Sequence, residues 1–416
     1  MTKRIYLDYA AATPVEPEVR RAMEEFLDAN YGNASGLYKE GREAKRALED
    51  ARARIAKILN ARTGEIIFTS GGTESNNLSI LGSVLESVPK SVPKSDFGKF
   101  TEVGLRSATG HIITSAFEHR SVLEPIHELE RRGFEITYLN VSRDGFIDPE
   151  NVRKALRPET ILVSVMYVNN EIGTIQPIAE IGKIIKKFRE ENNSPYPYFH
   201  TDACQGAGYL DLNVDRLGVD LASFSGAKIY GPKGVGFLYK KEGISLKPQI
   251  FGGGQEQGLR SGTEPLALAV GLAKALEISR AKRNEESERL KKMRDYFAKE
   301  IVKRVEVAEI NGDLEKRIPS NLNVSFLGVE SEELIIALDE KGIAVSSGSA
   351  CGSKLPELPH VIVALGKGDE AARGVIRFSF GVNTTKEDID YVLEILPKFV
   401  NKLSINKYER SKAIKV

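Results

Sequence analysis

Short apolar runs alternate with helical patterns through the first two thirds of the chain, and this alternation restricts the fold more than any other feature. Segments rich in β-branched and aromatic residues predict strands at 65–69, 111–116, 135–139, 161–167, 198–202, 220–223 and 235–239. Helical patterns occupy 40–59, 74–85, 121–132, 151–156 and 178–190. Strands separated by helices predict a mostly parallel sheet covered on both faces, an α/β fold. In such sheets, ligands bind outside the carboxyl ends of the strands.

A smaller α+β unit is expected after a long, highly charged helix over 266–305. Its predicted strands are 321–326, 343–346 and 375–380, and its predicted helices are 331–341 and 386–401. The change from alternating elements to a charged helix and then a second set of elements indicates two domains.

Composition excludes several classes of protein. The 59 basic and 58 acidic residues leave a net charge of +1, so no global field favours nucleic acid or an acidic membrane surface. Two cysteines cannot build a disulfide framework, which favours a reducing cytoplasm. The first residues lack an apolar signal core, and no run approaches the length of a membrane span. We therefore expect a cytoplasmic protein without membrane or nucleic-acid contact.

One of the two cysteines, Cys351, lies in the run Ser346-Ser-Gly-Ser-Ala-Cys-Gly-Ser353. Such small residues fill a core poorly and are typical of a loop. A thiol on a polar loop is well placed to act as a nucleophile. The alternative is a small residue in a turn, because free cysteine usually behaves as a small buried hydrophobe.

Polar motifs follow several predicted strands. Thr69-Ser-Gly-Gly-Thr73 opens a helix, where small residues and free N–H groups can hold a phosphate, although ordinary helix capping explains it equally. Asp202 ends an apolar strand and could pair with a protonated ring nitrogen or simply cap a helix. Lys228 follows a strand and a Ser-Gly step, where desolvation favours Schiff-base chemistry. Lys233 competes, but it lies in a Gly-Pro-Lys-Gly turn.

An aromatic ring, an amide and arginines complete the set. His119 and Asn170 also follow strands and can stack on, or hydrogen-bond, a planar cofactor, although a lone histidine is usually structural. Arg260 and Arg377 could bind carboxylates in a bidentate manner, although most arginines are surface charges. The joint occurrence of these motifs, in this order, predicts a pyridoxal phosphate site.

The chain resembles the NifS/IscS-type cysteine desulfurases of the fold-type I, class V aminotransferase group. The resemblance runs from Ile5-Tyr-Leu-Asp-Tyr-Ala-Ala-Ala-Thr-Pro14 to Arg377-Phe-Ser-Phe-Gly381 and includes the lysine region and the Ser-Gly-Ser-Ala-Cys loop. It implies a large domain over 16–280 with a seven-stranded sheet, and a small domain formed by 1–15 and 281–416. It also implies conversion of L-cysteine to L-alanine by a homodimer, with sulfur passed as a persulfide to an iron–sulfur scaffold protein or to tRNA thiolation.

The resemblance also implies a role for each motif residue. Lys228 would hold the cofactor covalently and Cys351 would accept the sulfur. The expected cofactor-binding residues, apart from Lys228, are Gly72, Thr73, His119, Asn170, Asp202, Gln205, Ser225 and Thr263, the last reaching the phosphate from a second subunit. His119 would stack on the ring and shuttle a proton, and Asn170 and Arg377 would bind the substrate carboxylate. No metal is expected.

Three departures from the family pattern stand out. Ala227 replaces the histidine that usually precedes the lysine and helps bind phosphate, Cys204 replaces a threonine or serine, and the loop over 87–110 is long. Three other functions remain open: a selenocysteine lyase, a class V aminotransferase, and a non-catalytic assembly partner, which Ala227 favours slightly. The Cys351 loop argues against a plain aminotransferase.

Overall fold

A computed structural model describes residues 4–87, 110–348 and 358–413. Its strands are β1 (Ile5–Tyr6), β2 (Ile66–Thr69), β3 (His111–Ser115), β4 (Glu135–Leu139), β5 (Thr160–Ser164), β6 (Tyr198–Asp202), β7 (Leu221–Ser225), β8 (Gly236–Lys240), β9 (Ala308–Ile310), β10 (Asn321–Phe326), β11 (Ile343–Ala344) and β12 (Val375–Ser379). Its helices are α1 (Pro17–Leu27), α2 (Lys39–Leu59), α3 (Gly72–Ser87), α4 (Arg120–Arg131), α5 (Pro149–Ala155), α6 (Ile178–Asn192), α7 (Val214–Leu217), α8 (Leu266–Arg304), α9 (Ser331–Asp339), α10 (His360–Ala364), α11 (Asp369–Arg373) and α12 (Lys386–Ala413).

A seven-stranded sheet in the order β2-β8-β7-β6-β5-β3-β4 forms the centre of the larger unit. Neighbouring strands from β7 to β4 are parallel, and β8 runs antiparallel to both β7 and β2. Almost every residue of β2, β3, β5, β6 and β7 is buried, as expected for strands covered on both faces. This confirms the predicted α/β fold with a mostly parallel sheet.

A smaller unit contains the antiparallel sheet β12-β10-β9 and the parallel pair β1-β11. Its core is separate from that of the larger unit and includes Leu7, Phe297, Phe326 and Phe378. Helix α8 joins the two units, because Leu272 packs in the first core and Phe297 in the second. The predicted boundary at residue 280 lies within this helix, and the division into domains stays a prediction.

The observed bounds differ from the expected ones mainly where elements end. The strand expected over 161–167 ends at Ser164, although the N–H of Val165 still donates to the carbonyl of His200 at 3.1 Å. Helix α12 continues through Pro397 to Ala413, past the expected end at 401. Helix α1 was not predicted, because its exposed face is charged and only Val19 is buried. Among the described residues, no helix combines the length and apolarity needed to cross a membrane.

Candidate active site

A cavity of about 430 Å³ opens at the carboxyl ends of the parallel strands, a volume typical of small-molecule sites. Its wall contains Gly72, Thr73, His119, Asn170, Asp202, Gln205, Ser225, Lys228 and Arg377, together with Ala10, Ala11, Ser121, Cys204, Ala227 and Gly348. The fold therefore gathers residues from strand ends that are far apart in sequence into one site, as the motifs predicted.

Lys228 ends the short 3₁₀ turn that follows β7. Its Nζ donates hydrogen bonds to the carbonyl oxygens of Ala10 at 2.8 Å and Ala11 at 2.6 Å. Burial lowers the pKa of Lys228 below its usual range, and the nearby Arg377 lowers it further, while Asp202 raises it. A lowered pKa increases the fraction of neutral amine, the form that attacks a carbonyl.

Asp202 is the last residue of β6 and is almost fully buried. Its Oδ1 accepts from the backbone N–H of Cys204 at 3.0 Å, and its Oδ2 accepts from the side-chain amide of Asn76 at 2.8 Å. These donors stabilise the charged carboxylate in a buried position. A fixed negative charge at this wall suits a protonated ring nitrogen.

His119 caps the N-terminus of α4 through its side chain. Its Nδ1 accepts from the backbone N–H of Ser121 at 3.1 Å and lies 2.7 Å from the Ser121 hydroxyl. Burial lowers the pKa of His119, and Lys228 lowers it further, against the opposing effect of Asp202. The imidazole is therefore mainly neutral near pH 7.

The glycine turn between β2 and α3 provides a cradle for an anion. Gly71 has a φ of 152°, which favours glycine, and the first-turn N–H groups of α3 have no partner inside the helix. A Cβ placed on Gly72 would lie 2.6 Å from Cys204 Sγ and 3.7 Å from Ser225 Cβ. The turn thus packs closely against the end of β7, and it presents helix N–H groups to the cavity, a usual way to bind phosphate.

Arg377 and Asn170 line the opposite side of the cavity. The Arg377 guanidinium donates to the carbonyl of Asn170 at 3.0 Å and to the Asp8 carboxylate at 2.7 Å. Within the described part of the chain, Arg377 Nε and Asn170 Oδ1 are buried without a hydrogen-bond partner. Buried polar atoms without partners are uncommon, so their position in a cavity wall indicates a polar ligand.

The N-terminal segment forms a wall of the cavity, a role that was not predicted although its motif was recognised. Besides accepting from Lys228, the carbonyl of Ala10 accepts from Gln205 Nε2 at 3.0 Å. The backbone N–H and hydroxyl of Thr13 donate to the carbonyl of Ala227 at 2.9 and 3.0 Å. Backbone carbonyls carry no side-chain signal, so these contacts could not be predicted. Asp8 lies in the same recognised motif, which runs from Ile5 to Pro14, but its pairing with Arg377 required the fold.

Cys204 is buried beside the glycine turn between β2 and α3, and its Sγ lies 3.7 Å from the carbonyl of Ser223. Burial and the neighbouring Asp202 raise the pKa of its thiol well above the usual value. A protonated buried thiol is a poor nucleophile, so its position is that of a packing residue.

Among the predicted site residues that the structure describes, Thr263 does not line this cavity. Thr263 is exposed on the loop before α8. In the same loop, Arg260 pairs with Glu74 of the glycine turn at 3.1 Å. Cys351 lies outside the described residues, as does most of the 87–110 loop. Gly348, three residues before Cys351, does line the cavity.

The model of the family described as aminotransferase class-V matches residues 5–94 and 100–392. The chain belongs to this family. Over 411 residues it is 47% identical to the cysteine desulfurase IscS of Dictyoglomus turgidum, covering 99% of this chain and 98% of that protein. A solved NifS-like protein superposes with a TM-score of 0.85 at 35% identity, covering 96% of this chain and all of the other. A structure titled SspA in complex with cysteine superposes with a TM-score of 0.75 at 35% identity, covering 91% of this chain and 99% of the other.

Proposed function

We propose that this protein is a pyridoxal phosphate-dependent cysteine desulfurase. L-cysteine and the Cys351 thiol would be converted to L-alanine and a Cys351 persulfide, so that the sulfur leaves the substrate carbon and joins the enzyme thiol. The relative at 47% identity is named a cysteine desulfurase and spans almost the whole chain. The observation that carries the proposal is one cavity that combines an amine, a carboxylate, an anion cradle and a buried arginine.

The cavity wall fits pyridoxal phosphate. The helix N-terminus after Gly71, with Thr73 and Ser225, would hold the phosphate. Asp202 would pair with the ring nitrogen, Gln205 would contact the ring hydroxyl, and the carbonyl carbon would meet Lys228. Ala227 removes one expected phosphate ligand, and the helix N–H groups supply donors in its place. When bound, the cofactor supplies an electron sink that makes the substrate Cα proton acidic.

The chain's own residues divide the remaining work. Arg377 and the side-chain amide nitrogen of Asn170 would bind the substrate carboxylate, since both residues line the cavity and Arg377 Nε is a buried donor without a described partner. Lys228 Nζ would remove the Cα proton, because burial lowers its pKa and so increases the fraction of neutral amine that can act as a base. His119 would exchange a proton at the substrate side of the cavity.

Cys351 would act as the thiolate that attacks the substrate sulfur. Gly348 lies at the cavity, and three residues span at most about 11 Å, so the chain connectivity keeps Cys351 near the site. The cavity thiol, Cys204, is disfavoured for this role because its pKa is raised.

The decisive experiment measures alanine and sulfide after L-cysteine is added to protein loaded with pyridoxal phosphate. We expect Lys228→Ala to abolish both products. Cys351→Ala should abolish sulfur transfer and retain the cofactor's visible absorbance, and Cys204→Ala is the matched control that should retain transfer. Alanine formation independent of Lys228 and Cys351 would refute the proposal. Turnover of selenocysteine without turnover of cysteine would indicate a selenocysteine lyase instead.

We further propose that the active unit is a homodimer that completes each site with Thr263 of a second copy. Thr263 is exposed and outside the cavity of its own chain, and Leu37 and Phe251 are 90% and 77% exposed. A mixture of Lys228→Ala and Thr263→Ala subunits would contain one intact site per mixed dimer. We expect the mixture to be more active than either variant alone, and purely additive activity would contradict shared sites. The sulfur acceptor would be an iron–sulfur scaffold protein or a tRNA-thiolation protein.

A further inference from the structure

Asn76 connects two functional groups of the cavity without lining it. Its side chain lies fully buried on α3 and donates to Asp202 Oδ2 and to Ser121 Oγ, each at 2.8 Å. Because carboxylate oxygens accept hydrogen bonds, the nitrogen of the amide must be the atom that faces Asp202. Both protons of that nitrogen are therefore committed to the active site.

The hydrogen bond from Asn76 to Ser121 determines the direction of the hydrogen bond between Ser121 and His119. Ser121 Oγ accepts from Asn76, so its own proton is available to His119 Nδ1, which lies 2.7 Å away. The backbone N–H of Ser121 donates to the same Nδ1 at 3.1 Å. A nitrogen that accepts these bonds carries no proton, so the neutral imidazole carries its proton on Nε2.

We propose that Asn76 is a positioning residue that acts through Ser121 to hold His119 in the tautomer protonated on Nε2, while it also orients Asp202. The neutral His119 then offers its Nε2–H as a hydrogen-bond donor in the reaction, while Nδ1 stays an acceptor for Ser121. This role of His119 in the reaction rests on the proposed function. The hydrogen-bond relay itself does not.

The other side of the Asn76 amide supports a functional role over simple packing. Its Oδ1 is buried and has no hydrogen-bond partner within the described residues. An unpartnered buried carbonyl is destabilising, and an apolar residue of similar size would avoid that cost. Such an apolar residue would, however, lose the two hydrogen bonds that Asn76 donates to Asp202 and Ser121.

Several charged groups also face His119. Asp202 and Glu171 favour the protonated imidazole, whereas Lys228 and His360, together with burial, favour the neutral one. The hydrogen-bond relay from Asn76 through Ser121 also favours the neutral imidazole, because a hydroxyl that donates to Nδ1 cannot accept a hydrogen bond from it. Without Asn76, Ser121 Oγ can turn and accept a hydrogen bond from a protonated Nδ1, which stabilises the charged form.

The test uses nitrogen-15 NMR of histidine-labelled protein without substrate, with the His119 signal assigned from His119→Gln. We expect an unprotonated Nδ1 in the wild-type protein. Asn76→Leu keeps the side-chain volume similar, removes both donors and should raise the titration midpoint of His119 by about one pH unit. Asn77→Ala removes the neighbouring amide, which donates to the backbone carbonyl of Thr73, and should leave the midpoint unchanged.

A second variant separates the relay from a general disturbance of the fold. Ser121→Ala removes one oxygen atom and should also raise the midpoint, and adding Asn76→Leu to it should cause little further shift. A protonated Nδ1 in the wild-type protein would overturn the proposal, as would an equal effect of Asn76→Leu with and without Ser121. These signals do not depend on turnover. Failure of the relay is therefore distinct from failure of the desulfurase proposal, which the alanine assay tests.

Discussion

The close contact between Gly72, in the first turn of α3, and Cys204 yields a quantitative prediction about stability. A Cβ on Gly72 would lie 2.6 Å from Cys204 Sγ, whereas non-bonded heavy atoms prefer about 3.5–4.0 Å. The overlap is about 1 Å, and the short, buried Cys204 side chain has little room to move. Overpacking of this kind costs about 1–3 kcal/mol. Alanine in place of glycine also restricts the unfolded chain and returns about 0.4–1 kcal/mol.

We therefore expect Gly72→Ala to destabilise the wild-type protein and to be neutral or stabilising when Cys204 is also alanine. The difference between the two backgrounds should be about 1–3 kcal/mol of unfolding free energy, measured by urea denaturation without cofactor. Affinity for pyridoxal phosphate should fall in the single variant, because the first turn of α3 must shift away from Cys204, and should recover in the double variant.

Gly64 provides the matched control. A Cβ at Gly64 meets no atom within 4 Å, so Gly64→Ala should have the same small effect with and without Cys204→Ala. If Gly72→Ala costs the same free energy in both backgrounds, the steric reasoning is wrong.

Two further predictions concern pH and substrate binding. Burial lowers the pKa of His200 to about 4, so the unfolded chain binds more protons than the folded chain between about pH 4 and 6.5. We therefore expect the free energy of unfolding to fall as the pH drops through this window, by up to about 3 kcal/mol. His200→Gln should reduce this dependence of stability on pH, measured by urea titrations. Arg377→Lys cannot reproduce the fork that reaches Asp8 and Asn170, so the KM for L-cysteine should rise about 10–100-fold, while the exposed Arg373→Lys should leave it unchanged. An unchanged KM in the first variant, or a pH profile unaffected by His200→Gln, would contradict these arguments.

Local patterns predicted the residues that end strands. Asp202, Lys228 and His119 each follow an apolar run, and parallel topology brings such positions to one edge of the sheet. The cavity confirms that these positions meet. Their roles stay predictions.

The contacts that were not predicted join residues that are far apart in the sequence. Asn76 lies in the buried interior of a helix, where its spacing resembles that of any core position, and its partner Asp202 is 126 residues away. Helix α12 also extends to Ala413, beyond the predicted end at residue 401, although the prediction already carried it through Pro397. Such features require the fold because neither propensity nor spacing encodes the partner.

The wall built from the N-terminal segment constrains how the protein assembles during synthesis. Lys228 bonds to carbonyls 217 and 218 residues earlier, and Arg377 pairs with a carboxylate 369 residues earlier. Asp8 therefore reaches its native partner only after the segment around Arg377 has been synthesised. A nascent chain can complete the parallel sheet earlier, but it cannot enclose Lys228 together with Arg377 before that point. Until then Lys228 lacks part of the burial that lowers its pKa, so its reaction with free aldehydes is disfavoured.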